Sequence, residues 1–233
     1  PNIGDVAVPE SRLEIIAKIG KSAEIIPARM NFVDIAGLVK GASKGEGMGN
    51  QFLANIRETD AIIYVLRCFD DDDITHVDGK IDPISDYETI ETELMLADLE
   101  SLEKRRGGLE KKVKQNDKEA ILTLQLIETA ISFLEKGQPA RNAIIDEKDT
   151  KAWRMLQLLT SKPVLFVANV DEESAENGNA YSEKVISHAS EIGAKVVIIS
   201  AQIESEMSLL DPDEQKDYLN SIGLKEPGLN RLI

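Results

Sequence analysis

The feature that most constrains this chain is a series of short apolar runs separated by helical patterns. Residues 61–68 are apolar and rich in β-branched side chains, which is typical of a strand buried on both faces of a parallel sheet. Strands are also predicted over residues 2–8, 30–35, 164–169 and 195–200, and helices over residues 12–19, 50–58, 182–192 and 211–222. This alternation predicts an α/β fold with a mostly parallel sheet.

A different pattern interrupts this alternation between residues 87 and 136. In its second half the apolar residues step by four, three, four and three positions, which is typical of a heptad seam. These residues are Ala120, Leu124, Ile127, Ile131 and Leu134. Gln115, Asn116 and Asp117 separate the two halves and predict a turn. We therefore predict an antiparallel helical hairpin, in part a coiled coil, inserted over residues 86–149 into a core domain of residues 1–85 and 150–233.

Composition and charge argue against several classes of protein. The 233 residues include 42 Asp and Glu against 27 Lys and Arg, for a formal net charge of −15. This balance argues against a protein that coats DNA, and no sequence-specific DNA partner is expected. One cysteine, Cys68, and two histidines argue against a disulfide framework and a Cys or His metal site. No apolar run approaches the roughly 18–20 residues of a membrane helix, so a cytoplasmic protein without a membrane partner is expected.

A local group of basic residues contrasts with this acidic background. The group, called the basic cluster below, lies in the predicted hairpin and consists of Lys104, Arg105, Arg106, Lys111, Lys112 and Lys114. A solvated helix face explains any one of these side chains taken singly. Six of them in one segment make this part of the hairpin a candidate surface for a partner.

The first motif with chemical meaning lies at the end of the strand predicted over residues 30–35. Asp34 places a carboxylate at the strand end, where open α/β sheets bind ligands, and Gly37 follows it. A glycine N–H can approach a ligand closely because no Cβ is in the way. In P-loop nucleotidases such an aspartate holds Mg²⁺ and such a glycine N–H meets the γ-phosphate. The glycine-rich residues 37–49 that follow are typical of a segment that orders with a bound phosphate.

The second motif follows the strand predicted over residues 164–169. Asn169, Val170 and Glu172 stand where GTP-binding proteins of this kind carry Asn-Lys-x-Asp, whose aspartate accepts two hydrogen bonds from guanine. Glu172 is one methylene longer than that aspartate, and Val170 replaces the lysine. Loss of a hydrogen bond to a charged group costs about 1.5–3 kcal/mol. The change is therefore expected to remove the requirement for guanine.

The third motif, Ser200, Ala201 and Gln202, ends the strand predicted over residues 195–200. In the same fold the loop at this place backs the base with main-chain N–H groups. Ser-Ala is a common dipeptide, so its order and spacing relative to the other two motifs carry the argument. Three motifs at three strand ends predict one purine-nucleotide cleft with these strand ends as its walls.

Longer stretches of the sequence, around and beyond these motifs, give more specific information. They are DIAGLVKGASKGEGMG at residues 34–49, NQFLANIRETD at residues 50–60, and residues 67–69, 79–83, 203–206 and 226–231. On these residues the chain resembles, over essentially its whole length, the Obg-like ATPases, the YchF family of P-loop nucleotidases. The helical insertion matches the coiled-coil domain of that family, and Asn-x-x-Glu is a family trait associated with a preference for ATP over GTP.

This resemblance implies a G-domain-like P-loop NTPase that hydrolyses ATP with Mg²⁺, prefers ATP to GTP, and regulates translation or a stress response. It implies a contact with the large ribosomal subunit through the basic hairpin. The implied site has Asp34 at Mg²⁺, Gly37 at the γ-phosphate, and Asn169, Val170, Glu172, Ser200, Ala201 and Gln202 at the base. The catalytic residue stays unidentified, because Leu38 stands where many GTPases carry a glutamine that orients water.

The phosphate-binding loop of such proteins, G-x-x-x-x-G-K-[ST], does not occur in this sequence. Gly20-Lys21-Ser22 imitates its end, but Ile15 stands in place of the first glycine and the segment has a helical pattern. The resemblance implies that this loop precedes Pro1 and that a TGS domain follows Ile233. The loop supplies a lysine and most of the N–H donors to phosphate. The 233 residues alone are therefore expected to bind ATP poorly and not to hydrolyse it.

Two alternatives remain open on the sequence. A non-enzymatic adaptor would bind its partner through the helical hairpin, and nucleotide would not affect that binding. A true GTPase would prefer guanine to adenine in a competition assay.

Overall fold

The computed structural model describes residues 2–35, 48–71 and 81–233. The strands are Asn2–Ala7 (β1), Arg29–Asp34 (β2), Ile62–Arg67 (β3), Val164–Asn169 (β4) and Lys195–Ile199 (β5). The helices are Leu13–Gly20 (α1), Met48–Glu58 (α2), Pro83–Lys114 (α3), Lys118–Leu134 (α4), Thr150–Met155 (α5), Ala180–Glu191 (α6), Ala201–Met207 (α7), Pro212–Ser221 (α8) and Gly228–Leu232 (α9). The predicted α/β fold is confirmed.

A three-stranded parallel sheet in the order β3-β4-β5 positions the site. In β4 and β5, Leu165 lies opposite Lys195 and Asn169 opposite Ile199. The main-chain bonds from Ile62 N to Pro163 O and from Cys68 N to Asn169 O advance together along both chains, so β3 is parallel to β4 as well. The carboxyl ends of all three strands therefore meet at one edge of the sheet.

Strands β1 and β2 form a separate antiparallel sheet. Asn2 lies opposite Asp34 and Ala7 opposite Arg29, and the Arg29 guanidinium binds the Asp5 carboxylate at 2.7 Å. The sequence pattern predicted both strands but not their antiparallel pairing, because apolar alternation carries no information on strand direction. One consequence is that Asp34 belongs to a different sheet from the ends of β4 and β5.

Helices α3 and α4 form the predicted hairpin, with its turn at residues 115–117. Asp117 caps α4 by accepting hydrogen bonds from Glu119 N and Ala120 N. Leu102 of α3 packs in one apolar cluster with five residues of α4, which are Leu126, Ile127, Ala130, Ile131 and Leu134. Gly107 and Gly108 lie within α3 without ending it. Within the described ranges, no helix is both long and apolar enough to cross a membrane.

The chain divides into two compact units. One comprises Pro1–Asp34, Ile63–Ile84 and Leu165–Ile233, and the other Ile35–Ile62 and Ser85–Val164. In the second unit, Trp153, Leu156 and Leu158 join the apolar cluster of the hairpin, so its core extends along the chain past residue 149. The predicted limits of the inserted domain, residues 86–149, stay a prediction.

Candidate functional site

Asn169 joins the ends of the three parallel strands. Its main-chain carbonyl accepts a hydrogen bond from Cys68 N at 2.7 Å, directly after β3. Its side-chain Oδ1 accepts one from Ala201 N at 2.9 Å, at the start of α7. Val170 N donates to Ile199 O at 2.9 Å. The strand ends are thus connected at the carboxyl edge of the sheet, which is where open α/β sheets bind ligands.

The oxygen and the NH₂ group of the Asn169 side-chain amide are used differently. Its oxygen is engaged by Ala201, while its NH₂ group makes no hydrogen bond within the described ranges, and the residue is half-buried. An amide NH₂ donates only, and the N7 atom of adenine and of guanine is an acceptor. The arrangement can therefore hold a purine but does not by itself distinguish the two bases.

Ser200 contributes a second polar group at the same edge. The residue is 3% exposed, and its hydroxyl has no hydrogen-bond partner among the residues that the structure describes. It stands at the N-cap position of α7 without capping the helix through its side chain. A buried polar group without a partner costs about 1–3 kcal/mol, so a ligand that bonded this hydroxyl would recover that energy.

Ala201 and Gln202 are exposed and begin helix α7. The sequence predicted a loop here, and that prediction is wrong. The physical reason is that Ile203 and Met207 lie four positions apart and are both buried, the spacing that places two apolar side chains on one face of a helix. The main-chain N–H of Ala201 is already bonded to Asn169.

Val170 and Glu172 have different surroundings. Val170 is 2% exposed, so its side chain offers almost no surface to a ligand. Glu172 is exposed and lies in a turn in which Asp171 Oδ1 accepts from Ser174 N at 2.8 Å. Ala175 N donates to the carbonyl of Glu172 at 3.2 Å. The turn is therefore held by its own hydrogen bonds while the Glu172 carboxylate faces solvent.

Tyr218 lies close enough to Glu206 and Glu172 to be affected by both charges. The hydroxyl of Tyr218 donates to Glu206 Oε2 at 2.6 Å. This hydrogen bond raises the pKa of Tyr218 to about 12, and the charges of Glu206 and Glu172 add to the effect.

Asn179 is a residue that the sequence analysis did not identify. Its Oδ1 accepts from Tyr181 N and Ser182 N at 3.0 Å each, and its Nδ2 donates to the carbonyl of Cys68 at 2.7 Å. The spacing of Asn179 and Ser182 is that of a capping box, so the cap could have been predicted. The bond to Cys68 spans 111 residues of sequence and had no local signal.

The residues predicted to lie at Mg²⁺ and at the γ-phosphate are Asp34 and Gly37. Asp34 is exposed at the end of β2, in the two-stranded sheet, and Gly37 lies outside the described residues. Among the residues that are described, no three His, Cys, Asp or Glu side chains are grouped to hold a metal ion. The assignments of Asp34 to Mg²⁺ and of Gly37 to the γ-phosphate stay predictions.

All six residues of the basic cluster are exposed. Lys104 pairs with Glu100 of the same helix at 2.6 Å, and Arg105 Nη1 donates to the carbonyl of Leu156 at 2.7 Å. The basic cluster therefore presents positive charge to solvent along the last half of α3.

Comparison with known proteins agrees with this architecture. A family profile described as a 50S ribosome-binding GTPase matches residues 15–97. A solved structure described as the Schizosaccharomyces pombe YchF GTPase superimposes with a TM-score of 0.84 and 32% sequence identity, and it covers 100% of this chain and 64% of that one. The fold is that of a P-loop G-domain.

The sequence relatives are closer still. Proteins named ribosome-binding ATPase YchF from Haemophilus influenzae and Bacillus subtilis are 50% and 45% identical to the chain, which they match over its whole length. The chain is thus similar over its whole length to proteins named YchF. It spans 64% of the length of these relatives.

Proposed function

We propose that this chain is the nucleotide-binding part of an ATPase that acts at the ribosome. The observation that carries the proposal is the hydrogen bond from Ala201 N to Asn169 Oδ1. Because this bond occupies Oδ1, the NH₂ group of Asn169 is left at the carboxyl edge of the sheet to donate to a purine ring. The names of the relatives, ribosome-binding ATPase, support the activity and the partner.

In this proposal the base is held at the ends of β4 and β5. Asn169 donates to N7 of the purine, and the buried hydroxyl of Ser200 supplies a further hydrogen bond. Ala201 and Gln202 cover one face of the base, and Val170 supports Asn169 from the protein interior. Glu172 is the position that discriminates between bases. A carboxylate close to adenine would repel its acceptor ring nitrogen, and the longer side chain of Glu172 can turn away toward solvent.

Asp34 is the proposed protein ligand of Mg²⁺. Its exposed carboxylate at the end of β2 is an oxygen donor of the type that Mg²⁺ prefers. A nucleotide-bound Mg²⁺ needs only one or two carboxylates, because phosphate and water oxygens complete its octahedron. Bound Mg²⁺ would neutralise charge on the phosphates, and Gly37 is proposed to donate its N–H to the γ-phosphate.

The proposed base site is tested with a matched pair of substitutions in a protein that carries this chain at the full length of its relatives. Asn169→Asp keeps the oxygen that binds Ala201 N but removes the NH₂ donor, so ATP and GTP affinity should both fall by about tenfold. Asn177→Asp, at an exposed position of the following turn, should leave both affinities unchanged. Equal ATP affinity in Asn169→Asp and the parent would show that Asn169 does not hold the base.

A second candidate, a GTPase, is favoured by the description of the solved structure and of the family profile. Competition between ATP and GTP for the unsubstituted protein decides between the two. We expect the unsubstituted protein to bind ATP more tightly than GTP. Glu172→Asp should shift this preference toward GTP by about tenfold, since it restores the shorter carboxylate. A preference for GTP in the unsubstituted protein would establish the GTPase.

We propose the basic cluster on α3 as the contact with the ribosome. Exposed Lys and Arg side chains that neutralise RNA phosphates release counterions, so binding weakens steeply with salt. Replacing Lys111, Lys112 and Lys114 by Gln should abolish ribosome association, while replacing Lys148, Lys151 and Lys184 should not. Unchanged association in the first variant would exclude this surface. Association that never depends on nucleotide would favour an adaptor.

The 233 residues alone are proposed to bind ATP poorly and not to turn it over, because no G-x-x-x-x-G-K-[ST] segment occurs in them. Calorimetric titration of the isolated chain with ATP and Mg²⁺ tests this. A micromolar dissociation constant would contradict the proposal.

A further inference from the structure

We infer that Asn179 is a positioning residue for recognition of the base, an inference that rests on the proposed function. Asn179 lies at the N-terminal end of α6. It uses both atoms of its side-chain amide, with Oδ1 accepting from the first turn of α6 and Nδ2 donating to Cys68 O. Both atoms are bonded within the protein, so the effect of Asn179 on the base is exerted through Cys68 and Asn169.

The main chain of Cys68 is held from two sides. Its N–H donates to the carbonyl of Asn169 at 2.7 Å, and its carbonyl accepts from Asn179 Nδ2 at 2.7 Å. Asn169 in turn binds Ala201 N through its side chain. A shift of Cys68 would therefore move Asn169 and with it the start of α7, which together form the proposed base site.

The same residue closes the turn that carries Glu172. Gly178, just before it, has a φ of +77° and donates its N–H to Ser174 O at 2.7 Å. A Cβ at Gly178 would lie 2.5 Å from Ser182 Oγ, so only glycine fits the turn at this point. The backbone conformation of the turn from Glu172 to Asn179 is thereby restricted. Asn169, which is proposed to hold the base, and the turn that carries Glu172 therefore both depend on Asn179.

A capping role alone does not account for the use of asparagine. Asp117 and Asp211 cap α4 and α8 through an oxygen that accepts two N–H groups, and aspartate, serine and asparagine are about equally good caps. Asparagine adds a donor that aspartate lacks. At residue 179 this donor is bonded to the carbonyl of Cys68.

The test replaces Asn179 by Asp in a protein that carries this chain at the full length of its relatives. Aspartate keeps the capping oxygen and removes the donor to Cys68. The probes are ATP and inorganic tripolyphosphate, each in competition with a fluorescent ATP analogue. We expect ATP affinity to fall about tenfold, with tripolyphosphate affinity unchanged, because tripolyphosphate has no base. Asn179→Ser also retains a capping oxygen and should behave like Asn179→Asp.

The control is Asp211→Ser, which changes the cap of α8 and should leave ATP affinity unchanged. A second readout is alkylation of Cys68, resolved by mass spectrometry, which should be faster in Asn179→Asp than in the parent. Unchanged ATP affinity in Asn179→Asp, or a parallel loss of ATP and tripolyphosphate binding, would overturn the inference while leaving the proposed function in place. An unsubstituted protein that bound neither ATP nor GTP would refute both.

Discussion

Asp98 accepts two hydrogen bonds from Thr160, one from its N–H at 2.8 Å and one from its hydroxyl at 2.7 Å. A third comes from Leu159 N at 2.8 Å. The residue is 1% exposed, and burial raises the pKa of its carboxyl although the hydrogen bonds act in the opposite direction. These bonds join the middle of α3 to the turn that leads into β4.

Asp98→Asn should lower the free energy of unfolding by about 2–3 kcal/mol. The amide has one accepting oxygen instead of two, and its NH₂ would face N–H donors, so buried groups would lose partners. Urea denaturation at neutral pH measures the change. The control is Glu100→Gln, which breaks the exposed pair with Lys104 and should leave the free energy of unfolding almost unchanged. Equal costs for the two variants would contradict this role for Asp98.

Gly228→Ala should destabilise the chain by about 1–3 kcal/mol. A Cβ at this position would lie 2.9 Å from both Glu204 Oε1 and Ile199 Cγ1, and it would disturb the 2.6 Å bond from Gly228 N to Glu204. Gly107→Ala is the matched control. Nothing lies within 4 Å of a Cβ there, and in the interior of α3 alanine should stabilise by about 0.5–1 kcal/mol. Thermal or urea unfolding should show a lower free energy of unfolding for Gly228→Ala and a higher one for Gly107→Ala.

Lys162→Met should loosen the C-terminal end of α2. The ammonium donates to the carbonyls of Ile56 at 2.7 Å, Arg57 at 2.9 Å, and Thr59, where a cation also complements the helix dipole. Its partial burial lowers the pKa of Lys162. Hydrogen exchange of the last amides of α2 should become faster by about tenfold. Lys151→Met, at an exposed position, is the control, and unchanged protection in Lys162→Met would contradict the prediction.

Cys68 should resist alkylation in the folded chain. The residue is fully buried, and burial raises the pKa of its thiol from 9.0 to about 12. The thiolate is the nucleophile, so at pH 8 the folded chain should react at least about a hundredfold more slowly than the chain in urea. Between pH 9 and 12 the unfolded state loses the proton first, so this thiol should lower stability as the pH rises through that window. The rate of Cys68 alkylation is measured with iodoacetamide. Equal rates with and without urea would contradict the predicted resistance of the folded chain.

Much of the local structure could be predicted from the sequence because it depends on local spacing. Consecutive residues are sufficient to predict the apolar runs at β3, β4 and β5, the hairpin turn at residues 115–117, and the α/β alternation. The motifs at Asn169 and Ser200 were also placed correctly, at strand ends that meet. The beginning of α7 at Ala201 was missed because the motif was interpreted as a loop although Ile203 and Met207 already had helical spacing.

The amino-acid sequence by itself determined most of the secondary elements, the order of the motifs and the family resemblance, because each depends on residues that are neighbours in the chain. Only the tertiary structure decided that β1 and β2 pair antiparallel in their own sheet, that Asn169 uses its oxygen for Ala201, and that Asn179 binds Cys68. These depend on groups far apart in sequence, for which local periodicity carries no information. The physical reason is that each such hydrogen bond forms only after the chain has folded and the strand ends have come together.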